Sequence, residues 1–250
     1  MMNKIGSKVS VLFDRQKDYD NQKYHDNPKS YAYALSVYKL IWLFMIGSFA
    51  GYLIETGWYY MIRGHFVNRQ GLVIGPLSPI YGVAAVGITT LLYRIRHINA
   101  LHIVFFSGLS GGIFEYVCSI LQEKVLGTRS WDYINTPFNI NGRTCLKFML
   151  IWGILGMVFI RNTYPFFSKY IEKIPDKIGK LLAIIIVVFM LFDCLLSLGV
   201  TVRQKERREG IAATNVIEKF YDSYYTDEKL AKIYTEIRIV DSKGNVVHVN

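Results

Sequence analysis

YKLIWLFMIGSFAGYLIETGWYYMI, from Tyr38 to Ile62, is apolar along its length apart from Lys39 at its start and Glu55. At 1.5 Å per residue, a helix of this stretch reaches across the roughly 30 Å hydrocarbon core of a bilayer. Four more apolar runs follow, near Pro79 to Tyr93, Ala100 to Gln122, Cys145 to Tyr164 and Lys180 to Val202. The second is the shortest, and its helix is expected to extend back towards Leu72. Because lipid offers no hydrogen-bond partners, each segment must pair its own backbone groups, and that makes it a helix. The expected fold class is all-α: a polytopic membrane helix bundle of about five transmembrane helices, with short soluble N- and C-terminal tails.

Outward from this core, residues 1–37 read as a polar N-terminal tail, 38–202 as the transmembrane helical domain and 203–250 as a soluble C-terminal tail. The only apolar patch of the first tail, Val9 to Phe13, is too short for a signal-peptide core. The second tail opens with RQKERR (Arg203 to Arg208) and continues in an amphipathic pattern around Asn215 to Tyr234, which predicts one helix. It ends in IRIV, a DSKGN turn and VVHV, the signature of a small hairpin. A lone hairpin is marginal without a surface to pack on, so this tail is expected to be accessory.

The chain of 250 residues is 52% hydrophobic and carries a net charge of +10, which leaves no room for a second globular core. Basic residues divide almost evenly between the two sides of an odd number of spans, so the positive-inside rule leaves orientation open. The charge fits anionic lipid headgroups better than nucleic acid, because no basic stripe with interleaved stacking aromatics lies in a soluble domain. The expected partner is the lipid bilayer and not nucleic acid. Cys118, Cys145 and Cys194 are isolated and the five histidines lack zinc spacing, so no metal, disulfide or cofactor is expected. LSGG at Leu109 to Gly112 matches the start of the ABC ATPase signature, but it lies inside an apolar run and no GxxxxGK[ST] loop exists to hold phosphates. It is better read as a small-residue packing face, and the chain is expected to be no enzyme.

Three acids interrupt the apolar runs: Glu55, Glu115 and Asp193. An ionised acid near a bilayer centre costs about 2.5–3.5 kcal/mol on insertion scales, so such residues have a partner or a task. Gly47, Gly51 and Glu55 share one helix face at i, i+4 and i+8, as do Ser107, Gly111 and Glu115. Small residues let helices approach closely, which turns both acids into the bundle. A shift of sixty residues aligns GYLIE (Gly51 to Glu55) with GGIFE (Gly111 to Glu115), and also Arg69 with Arg129, Ile80 with Ile140 and Gly82 with Gly142. Each half then reads helix with Glu, loop with Arg, helix, which is the pattern of a parallel internal repeat.

The loops after the first and third runs read HFVNRQGLVIGPLSPIYG (His65 to Gly82) and TRSWDYINTPFNINGR (Thr128 to Arg143). Arg69, Arg129 and Arg143 supply forked donors there and Asp132 an acceptor, while Trp131, Tyr133 and Tyr81 read as headgroup anchors. The candidate substrate- or ion-binding residues are therefore Glu55, Glu115, Arg69, Arg129, Asp132, Asn139 and Arg143, with Asn68 and Asp193 as further candidates and no catalytic residue. The arginines are expected to reach Glu55 and Glu115 or a bound anion. On the bland alternative, the acids and arginines are internal structural pairs of a non-transporting interaction or regulatory subunit.

GYLIE, NRQGLVIGPLSPIYG, Glu115, WDYINTPFNINGR and the Trp152-Gly153 pair together resemble the putative ABC-transporter type IV family, the CmpB-like proteins, over roughly Tyr38 to Tyr164. The chain departs from that pattern at Gln70, between Arg69 and Gly71, and at Ile134 after Trp-Asp-Tyr. The resemblance implies a permease-like protein integral to the membrane, most simply the cell membrane, with a separate ATPase subunit or a homo-oligomer as partner.

Overall fold

The computed structural model describes residues 27–235, 237–241 and 246–249. The Val9 to Phe13 patch and most of the DSKGN turn lie outside them. Five helices make the crossings: α1 (Val37–Arg63), α2 (Pro79–Leu92, prolonged by a 3-10 turn Tyr93–Ile95), α3 (Ala100–Leu126), α4 (Leu146–Ile171) and α5 (Asp176–Arg208). Four of them are long and apolar enough to span, and α2 is the short one. The expected extension of α2 to Leu72 does not occur. Pro79, with no N–H to give, takes the first helical position, and the chain before it is non-helical.

The strongest helix contacts join α1 to α2 and α3 to α4, giving two hairpins built to one plan. Both α1 and α3 have 27 residues, start on a capping side chain (Ser36, Asn99) and stop at a glycine with positive φ, Gly64 or Gly127. In the first hairpin a Cβ on Gly51 would lie 2.2 Å from Cγ of Tyr81, Gly82 backs onto Phe44 and Ser48, and Gly47 meets Ala85. In the second, a Cβ on Gly111 would lie 2.5 Å from Cβ of Trp152, Gly153 backs onto Val104, and Gly156 meets Ser107. These pairs superpose the first helices at the shift of sixty and the second helices at a longer one, since Tyr81 corresponds to Trp152. The sixty-residue matches of Ile80 with Ile140 and Gly82 with Gly142 therefore do not hold: Gly82 is helical and Gly142 sits in a turn at φ 67. LSGG is a packing face, with Gly111 against Trp152 and Gly112 against Met149.

The α5 helix packs beside α1 and α3, and large aliphatics such as Val188, Leu191 and Leu195 on it are exposed in the direction lipid would occupy. At the end where α1 begins, Lys39 is wholly buried and bonds to Glu172 and, at 2.6 Å, to Ser168. A π turn over Phe159–Thr163 interrupts α4 there, and Arg161 from it donates to the Ile98 carbonyl.

The C-terminal segment forms two helices rather than the one expected, α6 (Val216–Tyr224) and α7 (Asp227–Ile233). Thr226 divides them by capping α7, its hydroxyl accepting from Lys229 N–H. The expected hairpin is present as β4 (Arg238–Val240) and β5 (Val246–Val249), and it is not alone. β4 also pairs antiparallel with β1 (Thr128–Arg129) of the second loop, which makes a three-stranded sheet.

Candidate functional site

Glu55 emerges from α1 toward loop 1, the stretch 64–78. Arg69 donates to its Oε1 from Nε (2.8 Å) and Nη2 (2.6 Å), and Tyr81 donates to its Oε2 at 2.9 Å. The guanidinium also lies over the Tyr59 ring, 4.6 Å from its centroid. Burial acts to lower the pKa of Arg69, and the Glu55 carboxylate more than offsets it, so the value is raised. Tyr81, read above as a headgroup anchor, instead points inward, because Gly51 leaves room for its ring.

Glu115 occupies the equivalent place on α3 and is treated differently. It is 7% exposed; Tyr133 donates to its Oε1 at 3.1 Å and Thr144 to its Oε2 at 3.0 Å, while Trp152 lies beside it. Among the described residues it has no Lys or Arg in hydrogen-bonding or ion-pair distance. The Tyr133 hydroxyl is pushed far above its ordinary pKa by burial and then by Glu115, so it stays a donor. The two sites are joined by a chain of contacts, Gly51 to Tyr81, Tyr81 to Trp152 (ring centroids 6.4 Å apart) and Trp152 to Gly111.

Arg129 does not reach Glu115. It bonds Glu123 at 2.6 Å, and Arg143 bonds the same carboxylate at 2.8 Å while donating to Ser119 at 3.1 Å. The reason is length: α3 runs eleven residues past its acid before Gly127 turns the chain, against eight in α1. Asp132 and Asn139 are turn builders. Asp132 accepts from Ile134 N–H, and Asn139 donates to the Ile134 and Thr136 carbonyls while accepting from Gly142 N–H. Between the short strands β2 (Asn139–Ile140) and β3 (Thr144–Cys145), Asn141 and Gly142 both have positive φ. This Asn-Gly pair is a hairpin signal that the sequence offered and the loop reading passed over.

Asp193 on α5 faces loop 1. It accepts from Ile74 N–H and from Ser197, both at 3.2 Å, and Ser197 in turn accepts from Val73 N–H at 2.9 Å. Its other oxygen has no hydrogen-bond partner among the described residues. With Val67, Leu72, Leu77 and Ser78 all buried, loop 1 is irregular backbone lodged in protein, the setting in which such backbone is tolerated at membrane depth. Asn68 bonds its own loop through Gln70 and reaches the Lys232 carbonyl, while Arg69 reaches the Thr235 carbonyl and Thr235 donates to the Asn68 carbonyl. The C-terminal segment thus lies over both loops, with Arg238 donating to Ser130 on the second.

The sequence reading missed Tyr81, Tyr133, Thr144 and Trp152 as partners of the acids, and the Lys39–Glu172 pair altogether. An apolar cleft of about 320 Å³ lies between α1, α2 and α5, lined by Leu40, Phe44, Val86 and Met190 among others, and neither glutamate lines it. Residues 42–198 match the family described as Putative ABC-transporter type IV. No curated protein and no solved structure matches the chain.

Proposed function

Since the chain belongs to the Putative ABC-transporter type IV family, we propose that it is the membrane-embedded component of a transport system in which Glu115 exchanges a proton or small cation during turnover. The observation that carries this reading is the contrast between two equivalent acids. Glu55 is locked by an arginine, whereas Glu115 is held by neutral donors, the Tyr133 and Thr144 hydroxyls and the Trp152 side chain. An acid so held can gain or lose a cation without breaking an ion pair, which a coupling residue must do. Arg69, Glu55 and Tyr81 then act as the fixed counterpart that seats loop 1. Arg129, Arg143, Asp132, Asn139 and Asn68 shape the loops over the site. With no phosphate-binding loop in this chain, ATP hydrolysis would come from a separate subunit, and the cell membrane is the simplest location.

The test is flux in vesicles containing the chain and whatever subunits co-purify with it. Glu115→Gln should insert at normal abundance and abolish flux. Full flux in that variant would remove Glu115 from the mechanism. One observation favours the second reading, a regulatory or interaction subunit: Glu55 is closed off by Arg69 and Tyr81, and the C-terminal segment lies over the loops. On that reading, neutralising both glutamates leaves every phenotype of the protein intact.

A further inference from the structure

The α6 helix exposes an apolar face. Val216, Ile217, Phe220 and Tyr224, at i, i+1, i+4 and i+8, are 82%, 62%, 50% and 56% exposed, and they fall on one side of the helix. The opposite side is polar and engaged: Asp222 accepts from Arg203 and Arg207 of α5, and Glu218 accepts from Thr214 and from the Asn215 side chain. Left in water, such a face would be an isolated hydrophobic patch.

Where α6 touches α5 fixes its depth. The Tyr221 ring packs on Gly199, where a Cβ would lie 2.8 Å from its hydroxyl, and Gly199 belongs to the apolar part of α5. The first charge after Asp193 is Arg203, four residues beyond Gly199, so the contact lies about 6 Å inside that charge at 1.5 Å per residue. Amphipathic helices that lie in a membrane interface bury their apolar face roughly 5–10 Å into the headgroup and acyl boundary, which is the same depth. The neighbouring surface of α5 is of one kind with it, since Leu195 and Leu198 are 68% and 46% exposed there.

We propose that α6 lies in the membrane interface, its Val216, Ile217, Phe220 and Tyr224 face continuing the lipid-facing surface of α5. The occupant of this face is the acyl-chain boundary of the bilayer, not a second protein. Tyr224 sits at the rim, where Lys229 Nζ lies 3.5 Å from its ring centroid and faces the headgroup level. The inference does not depend on the transport reading, because it needs only that α5 spans the membrane.

The experiment places an environment-sensitive fluorescent amino acid at Ile217 of the full chain and, as control, at the exposed Lys219, two residues on and about 200° round the helix from Ile217. Each protein is reconstituted in phosphatidylcholine vesicles with nitroxide-labelled acyl chains. Nitroxide lipid should lower emission from position 217 about twofold or more and leave 219 nearly unchanged, as burial of one face in the interface requires. Aqueous iodide should do the reverse. Iodide quenching at 217 without nitroxide quenching would mean the face looks into water, and quenching by neither would mean that protein covers it; both results overturn the proposal. Phe220 serves as a second label position if the Ile217 protein does not fold.

Discussion

The two hairpins place an acid at the same point of the same scaffold and compensate it in different ways. In α1 and α2 the carboxylate meets a guanidinium and a phenol; in α3 and α4 it meets a phenol, a threonine hydroxyl and the Trp152 side chain. The separation along the chain explains the divergence. Arg69 and Arg129 both follow their acids by 14 residues, but α1 stays helical for eight residues past Glu55 and α3 for eleven past Glu115, which carries Arg129 beyond its acid to Glu123; Trp152 then follows Glu115 by 37 residues, where Tyr81 follows Glu55 by 26, which leaves loop 2 the longer. A shared scaffold therefore fixes where a charge sits and not how it is balanced. The second hairpin can afford an acid without a cation because its longer loop brings Tyr133 and Thr144 inward.

The largest effect should come from the glycines that define the scaffold. Leu at Gly51 or at Gly111 would drive a branched side chain into the stem of Tyr81 or Trp152, and the cost should exceed the ~1–3 kcal/mol usual for overpacking. Both variants should lose most folded protein in mild detergent. If one is silent, the hairpins are not equivalent.

Next come the arginines, which should separate the hairpins. Removing one partner of a buried ion pair costs about 3–5 kcal/mol, and because Glu55 keeps a fifth of its side chain exposed we expect about 1–3 for Arg69→Ala. Glu55→Gln should be milder, because the amide oxygen can still accept from Arg69, which also keeps its bond to the Thr235 carbonyl. Arg129→Ala should cost under about 1 kcal/mol, since Glu123 retains Arg143 and Glu115 is not touched. Melting temperatures of the three variants test the order, and equal losses for both arginines would contradict it.

Much of this was legible in the sequence. The five crossings, the glycine faces of Glu55 and Glu115, and the pairing of Arg69 with the first acid follow from hydropathy, from i, i+4, i+8 spacing and from a short loop. The partners of Glu115 do not follow. Tyr133 and Thr144 meet it only after the Asn141-Gly142 turn folds loop 2 back, a tertiary event with no periodic signature. Tyr81 and Tyr133 read as headgroup anchors because they lie near span ends, and Trp152 as part of a Trp-Gly pair; Gly51 opposite Tyr81 and Gly111 opposite Trp152 were the clue to the two inward rings. Lys39 looked like one more flanking charge, and its partner Glu172 comes 133 residues later.

Deleting single hydroxyls should have a smaller effect, and one confined to the second hairpin. Tyr133→Phe and Thr144→Val each remove one hydrogen bond to Glu115 and should cost about 1 kcal/mol apiece. A double-mutant cycle reads whether they act on one carboxylate. Strict additivity would argue that they do not share it.

The smallest effect concerns how the C-terminal segment grips the two loops. It holds loop 1 by side-chain bonds at Asn68 and Arg69, and loop 2 by the backbone ladder between β4 and β1. Its own anchor is Asp222, which faces Arg203 and Arg207 of α5, with Glu206 on the first arginine and Asp227 on the second. Hydrogen bonds from Arg203 and Arg207 hold the Asp222 carboxyl down to about 2, below its ordinary 3.8. A depressed acid contributes stability that is complete above its unfolded value and lost as pH falls through the folded one, so the anchor should weaken between about pH 4 and pH 2. Amide hydrogen exchange in that window should rise in α6 first, then at Asn68 and Arg69, and last at Thr128 and Arg129, because side-chain ties yield before a strand ladder. Asp222→Asn should show the loosened α6 already at neutral pH and little further change on acidification. If its acid response matches that of the parent chain, another carboxylate carries the effect. Glu218, also held low by bonds from Thr214 and Asn215, would be the next to change.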